Sequence, residues 1–351
     1  MNLDTKKIKL IVHIGSGKTG STSIQQTLRV NTAFLDANKT HYLGLMFENS
    51  PVKKYEWQIP SGWFLLKKDP TNGFYQLAEI LNETLIALKQ NGVEKAIWSN
   101  ESLMEQPSEI IPILKGLQNT GVDVCIVGYI RRHDAWARSA YVQWGIKHKT
   151  YSGKIKPFKE WFSADKANFN QYLQHWVKEV WNEISIRNFD VYPNVTKDFF
   201  DYIGLRGSYN NIRSNDTPSS ISLYLWSIFN NQIEQPVLPA ELYELLHDSN
   251  LLSNPIIDLE FDELFPSLED LKKVQIDTEE DREKINSILQ KMGQSPILQN
   301  ELKEKGNLVT QTQINTALLQ MLKHQNDELR AIKTTLKRYE ANLGKLNPLL
   351  K

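Results

Sequence analysis

The stretch His13-Ile14-Gly15-Ser16-Gly17-Lys18-Thr19-Gly20-Ser21-Thr22-Ser23 decides the fold. It closes an apolar, β-branched run at residues 8–14 (IKLIVHI), which predicts a buried first strand. From Ser23 to about residue 30 the sequence reads as the opening of a helix. A Gly/Ser/Lys/Thr loop between a strand and a helix is an anion cradle, because backbone N–H groups converge there and the helix N-terminus adds a favourable dipole. The candidate binding residues are Gly17, Lys18, Thr19, Gly20, Ser21 and Thr22. Gly20 lets the backbone approach a ligand closely, Lys18 supplies a point charge, and Ser21 and Thr22 supply hydroxyl donors. The plainer reading is a Gly/Ser turn with a solvated lysine, and the strand–loop–helix placement is what argues against it. The loop is not a Walker A motif, which would need a glycine where this chain has Val12.

Working outward, residues 42–75 read as irregular, and a helix is expected over 74–90 with Leu77, Ile80, Leu81, Leu85 and Leu88 on one stripe. Strands are expected at 95–99, 122–130 and 184–189, and helices at 108–119 and from near Asp134. This alternation predicts an α/β fold, a parallel sheet flanked by helices. The last 60 or so residues differ in character. A heptad places Leu322, Leu329, Leu336 and Leu343 in one core position, and Leu318, Ile332, Tyr339 and Leu346 in the other, with Gln325 as the polar exception. A coiled coil between subunits and a helix packed on its own domain both fit. The expected division is a main domain over 1–285 and a helical extension over 290–351.

Lys+Arg and Asp+Glu both total 41, so no global basic field recruits nucleic acid, and any anion site must be local. Cys125 is the single cysteine, which excludes an intrachain disulfide and a cysteine-based zinc cluster. No stretch reaches the ~18 apolar residues of a membrane span. The apolar run after Lys6, Lys7 and Lys9 is too short for a signal peptide, so a cytoplasmic location is expected.

The loop resembles the 5'-phosphosulfate loop of sulfotransferases that use 3'-phosphoadenosine 5'-phosphosulfate (PAPS), especially bacterial members with a Lys-Thr-Gly-Thr-Thr core followed by Ser and Gln. Here the chain reads Lys18-Thr19-Gly20-Ser21-Thr22-Ser23-Ile24-Gln25. Ser21 replaces a frequent Thr and keeps the hydroxyl, while Gly17 replaces a usual Pro and loosens the loop. The family's second element is an Arg at a strand end with a Ser eight residues on, both holding the 3'-phosphate. Arg131 and Ser139 have that spacing, with Arg132 as the competing arginine. Trp98-Ser99-Asn100-Glu101 resembles the family's strand ending in Ser-x-Glu, and residues 211–219 (NIRSNDTPS) resemble a late Asn/Ser segment from which Arg213 would reach the 3'-phosphate. The resemblance spans roughly residues 8–235.

It implies a P-loop-like sulfotransferase fold, PAPS as co-substrate and no metal. By resemblance Lys18 stabilises the leaving 5'-phosphate and Glu101 takes the acceptor proton, standing where cytosolic relatives carry a His. A structural cap or ion pair is the competing role for Glu101, and His13 reads as a packed strand-end histidine. Tyr55, Trp57, Trp63, Phe64 and Trp144 suggest stacking against sugar faces, hence a carbohydrate-like acceptor such as a polysaccharide, lipopolysaccharide or glycolipid. The heptads suggest a homo-oligomer. The rival readings are a P-loop kinase-like nucleotide-binding enzyme and a non-catalytic sulfotransferase-like scaffold.

Overall fold

In the computed structural model the described residues are 7–213, 218–231, 233–237, 242, 265–299, 302 and 311–346. The first strand, β1 (Lys9–Gly15), is followed by α1 (Ser21–Val30), α2 (Thr32–Ala37) and β2 (Thr40–Gly44). Then come α3 (Trp63–Leu66), α4 (Pro70–Gln90), β3 (Lys95–Ser99), α5 (Pro107–Asn119), β4 (Asp123–Ile130) and α6 (His133–Ala140). A π-helical turn over Tyr141–Lys147 continues α6 and leads to α7 (Phe158–Trp161), α8 (Asn170–Glu179), β5 (Ile184–Asn188), α9 (Val195–Tyr202) and α10 (Ser220–Asn231). Helices α11 (Leu268–Asp277), α12 (Glu279–Lys291) and α13 (Gln311–Leu346) follow.

The five strands pair in the order β2-β3-β1-β4-β5, all parallel. Parallel strands need crossovers, and crossovers are right-handed. The chain leaves β1 in one direction along the sheet and then steps back across it from β2 to β5, so α1 and α2 fall on one face and α4 and α5 on the other. Burial of both faces explains why β1 reads as continuous apolar sequence rather than as an alternating one. Ile11, Ile24, Leu28, Leu35, Val127, Tyr129, Val195, Phe199 and Phe200 form the core under α1, α2 and α9. Leu10, Val12 and Ile14 alternate to the opposite face and are equally buried. His13 shares the α9 side, fully buried, with its ring 5.4 Å from Phe199 and Nδ1 2.8 Å from Ser99 Oγ. Burial pushes its pKa down to about 3, so it is a neutral core histidine. Cys125 lies on β4, its thiol pushed up by burial.

Helix α4 buries the stripe expected of it, Leu77, Ile80, Leu81, Leu85 and Leu88. It starts earlier than the sequence suggested, because the Asp69 carboxylate accepts the Asn72 N–H at 3.3 Å and Pro70 occupies the first turn. Strand β2 lies partly in the stretch read as irregular.

The chain divides into two compact units: Met1–Ala137, Ser163–Asn215 and Lys272–Glu301 make the first, and Arg138–Phe162, Asp216–Leu271 and Leu302–Lys351 the second. This differs from the boundary expected at 285–290. Residues just past α12 belong to the first unit because they satisfy polar groups there: Asn188 Nδ2 donates to the carbonyls of Ser295 (3.1 Å) and Pro296 (2.9 Å), and Tyr192 Oη donates to Gln294 Oε1 at 2.9 Å. In the second unit, Tyr141 packs edge-on to Phe158 and Phe265, and the buried Lys149 donates to the Gly153 and Ile233 carbonyls. No described helix is long and apolar enough to cross a membrane.

Candidate anion-binding site

The loop at residues 16–20 leaves the carboxyl end of β1, the centre of the sheet. β1 and its neighbour β4 send their following segments in opposite directions, which makes the space between them the topological switch point where parallel α/β sheets bind ligands. The loop is tied on several sides. Ser16 N donates to Tyr129 O at 2.9 Å, and the hydroxyls of Thr19 (2.5 Å) and Ser21 (3.2 Å) both donate to Ser16 O. Trp136 Nε1 donates to Gly17 O at 3.2 Å, and Arg131 Nη1 donates to Lys18 O at 3.0 Å. The carbonyls of residues 17 and 18 thus turn toward the segment after β4. In planar trans peptides the N–H groups of Lys18 and Thr19 therefore point the opposite way.

Lys18 has φ 68° and Gly20 φ 83°, both left-handed. Left-handed residues within a turn give the backbone curvature that lines an anion concavity. For a lysine that conformation is uncommon and is typical of functional sites. Gly20 is needed for packing as well as for its φ. A Cβ there would stand 2.6 Å from Val195 Cγ1, so the glycine admits α9 rather than a ligand. It also begins α1, whose N-terminus has no side-chain cap. An uncapped first turn leaves backbone donors for an anion. Thr22 is exposed in that turn, whereas Ser21 is buried with its hydroxyl hydrogen committed to the loop.

Arg131 follows β4, as its sequence position suggested, and the structure brings it to the loop across 113 residues. Its guanidinium lies 5.0 Å over the Phe189 ring, and its buried Nε has no hydrogen-bond partner among the described residues. Burial pushes its pKa down, partly countered by Asp190. An always-charged group drawn out of water gains strongly from an anionic partner. Arg132 is spoken for: its side chain donates to Asp134 at 2.8 Å and its N–H to Asp190 at 2.6 Å. Ser139 lies on α6 in the part of the chain assigned to the second unit.

Glu101 follows β3 directly beside the start of the loop. A Cβ on Gly15 would stand 2.9 Å from Glu101 Cα, so glycine permits this close approach. Gln25 Nε2 donates to Glu101 Oε2 at 2.8 Å and orients the carboxylate from α1. Arg213 is exposed at the end of a segment laced to α1, where Asn210 N donates to Asn31 Oδ1 (2.8 Å) and Ile212 N to Thr27 Oγ1 (3.0 Å). Lys18, Arg131, Glu101 and the segment bearing Arg213 thus all border the loop or α1 within the first unit.

The aromatic residues suggested for an acceptor are less open than expected. Trp57 is 4% exposed, donates to Gln76 Oε1 at 2.9 Å and is covered by Tyr55, stacked at 5.5 Å. Trp63 meets Phe74 edge-on, and Phe64 is exposed. Trp144 belongs to the second unit. Sequence reading gave no role to Trp136, Phe189 or Gln25, since their tasks depend on contacts distant in the chain. No family model matches the chain, and no curated protein matches it. The fold and site together define a parallel α/β protein with a cationic strand–loop–helix turn at its switch point.

Proposed function

We propose that this chain is a PAPS-dependent sulfotransferase that moves a sulfuryl group onto a hydroxyl of a carbohydrate-like acceptor. The observation that carries the reading is the 3.0 Å bond from Arg131 to the Lys18 carbonyl, which joins two cationic elements at the end of adjacent strands. A nucleotide with phosphate at both the 5' and 3' positions of one ribose needs two such elements side by side. Arg131 suits the 3'-phosphate, because its guanidinium carries further N–H groups besides the Nη1 donor spent on the Lys18 carbonyl. The uncapped start of α1, Lys18 and Thr22 suit the 5'-phosphosulfate. Ser139 and Arg213 are additional 3'-phosphate ligands by resemblance.

In the transfer, the acceptor oxygen attacks sulfur in line, the S–O bond to the 5'-phosphate breaks, and negative charge grows on the departing phosphate. Lys18 and the α1 N-terminus stabilise that growing charge, so they act more strongly in the transition state than in the ground state. Glu101, held by Gln25, accepts the acceptor's hydroxyl proton. Glu101→Gln is expected to lower kcat by about 10²–10⁴-fold with little change in nucleotide affinity. A variant that instead loses nucleotide binding with unaltered kcat would reassign Glu101 to the nucleotide site.

The discriminating test is thermal. The desulfated product, 3'-phosphoadenosine 5'-phosphate (PAP), at about 100 times its Kd should stabilise the protein by about 2.7 kcal/mol, while ATP-Mg should leave the melting temperature unmoved. Stabilisation by ATP-Mg and not by PAP would favour a kinase-like nucleotide-binding enzyme.

A further inference from the structure

Among the described side chains of helix α13, burial is confined to its start. Ile314 and Ala317 are packed, whereas every described side chain over residues 328–339 is exposed. The apolar residues on that exposed length are not scattered. Leu318, Leu322, Leu329, Ile332, Leu336 and Tyr339, between 43% and 64% exposed, fall on alternating three- and four-residue steps with Gln325. These are the a and d positions of a heptad, with Leu322, Leu329 and Leu336 at a. Leu343 and Leu346 continue the pattern, but their side chains lie outside the described residues.

Between residues 322 and 339 the flanking e and g positions are all polar: Asn326, Glu328, Lys333 and Thr335. The apolar stripe is therefore the narrow seam of a coiled coil. A helix lying in a membrane surface carries a wider apolar face, about 100° or more.

We propose that α13 pairs with α13 of a second copy of this chain as a parallel, in-register coiled coil. Two observations fix that geometry. Gln325 is the one polar core residue on the exposed length, and in register it faces its own counterpart, so the two amides satisfy each other away from water. An antiparallel pair formed by the exposed length, 318–339, would set the amide against a leucine at an a position. In the parallel arrangement Glu328 at g also faces Lys333 at e of the second copy, an attractive pair repeated by symmetry.

The full-length chain should show a mass by light scattering of at least twice 40.6 kDa. Leu329→Glu combined with Leu336→Glu should return it to the single-chain mass with an unchanged melting temperature. In a Cys125→Ser background, Gln325→Cys should form an interchain disulfide under mild oxidation. A wild-type mass of 40.6 kDa, with or without flotation on phosphatidylserine vesicles, would overturn the proposal. So would an assembled mass that survives the double glutamate variant, or an assembled Gln325→Cys chain that does not cross-link.

Discussion

Replacing Lys18 with alanine is expected to reduce PAPS-dependent transfer by about 10²–10³-fold, the usual effect of deleting one donor aimed at developing transition-state charge. The variant should nevertheless fold. Within the loop, the bond from Arg131 goes to the backbone carbonyl of Lys18, which alanine also provides. Further ties, from Ser16 N to Tyr129 O, from Thr19 and Ser21 to Ser16 O and from Trp136 to Gly17 O, are made by other residues. Alanine shares lysine's disfavour for a positive φ, so the backbone loses nothing specific. Transfer rates measured beside thermal melts check this. Near-normal turnover in a folded variant would remove Lys18 from the mechanism and, with it, the main chemical argument for sulfuryl transfer.

The largest expected effect on stability is at Asp198. Both of its oxygens hold Arg187, at 2.7 Å to Nε and 2.6 Å to Nη2, and Oδ2 also accepts the Tyr129 hydroxyl at 2.6 Å. The two charged side chains are only 12% and 11% exposed. Burial, and then the Asp198 carboxylate, hold the Tyr129 pKa well above its ordinary value, so the phenol remains a donor. Asp198→Ala strands a buried guanidinium and should cost about 3–5 kcal/mol, read as a lower urea midpoint at unchanged slope. A loss below about 1 kcal/mol would mean that solvent screens the pair as it does on a surface. The site should respond as well. Asp198 shares α9 with Val195, the residue packed against Gly20, so loosening α9 releases one wall of the loop.

The central strands and the loop were legible because their signals are local. Residues 8–14, 95–99 and 122–130 carry dense apolar sequence of strand length, and the observed β1, β3 and β4 match them within a residue or so. The stripe of α4 was legible from its period. Its first turn was not: it lies in the stretch read as irregular, yet Asp69 caps the helix and Pro70 opens it. The short β2 has polar Thr40 and His41 and closes the edge of the sheet, where strand patterns are weak.

The site was half legible. Lys18, Arg131 and Glu101 were singled out by strand-end position and by resemblance, and the structure places them just past β1, β4 and β3. The reason for Gly20 was not, because it resides in Val195, far along the chain. The contact that joins the two cationic elements uses a carbonyl oxygen, which every residue has and no sequence letter records. Trp57 illustrates the opposite error: an aromatic ring chosen as a stacking platform is largely covered by its neighbours.

Helix α1 has a consequence of its own. Its first residues grow out of the loop, its Gln25 steers Glu101, and its Thr27 and Asn31 are laced to the backbone that carries Arg213. One helix thereby ties together the loop, Glu101 and the backbone that carries Arg213. At the nucleotide site proposed above, a ligand would meet these segments already in place, and little of their backbone freedom would be surrendered on binding.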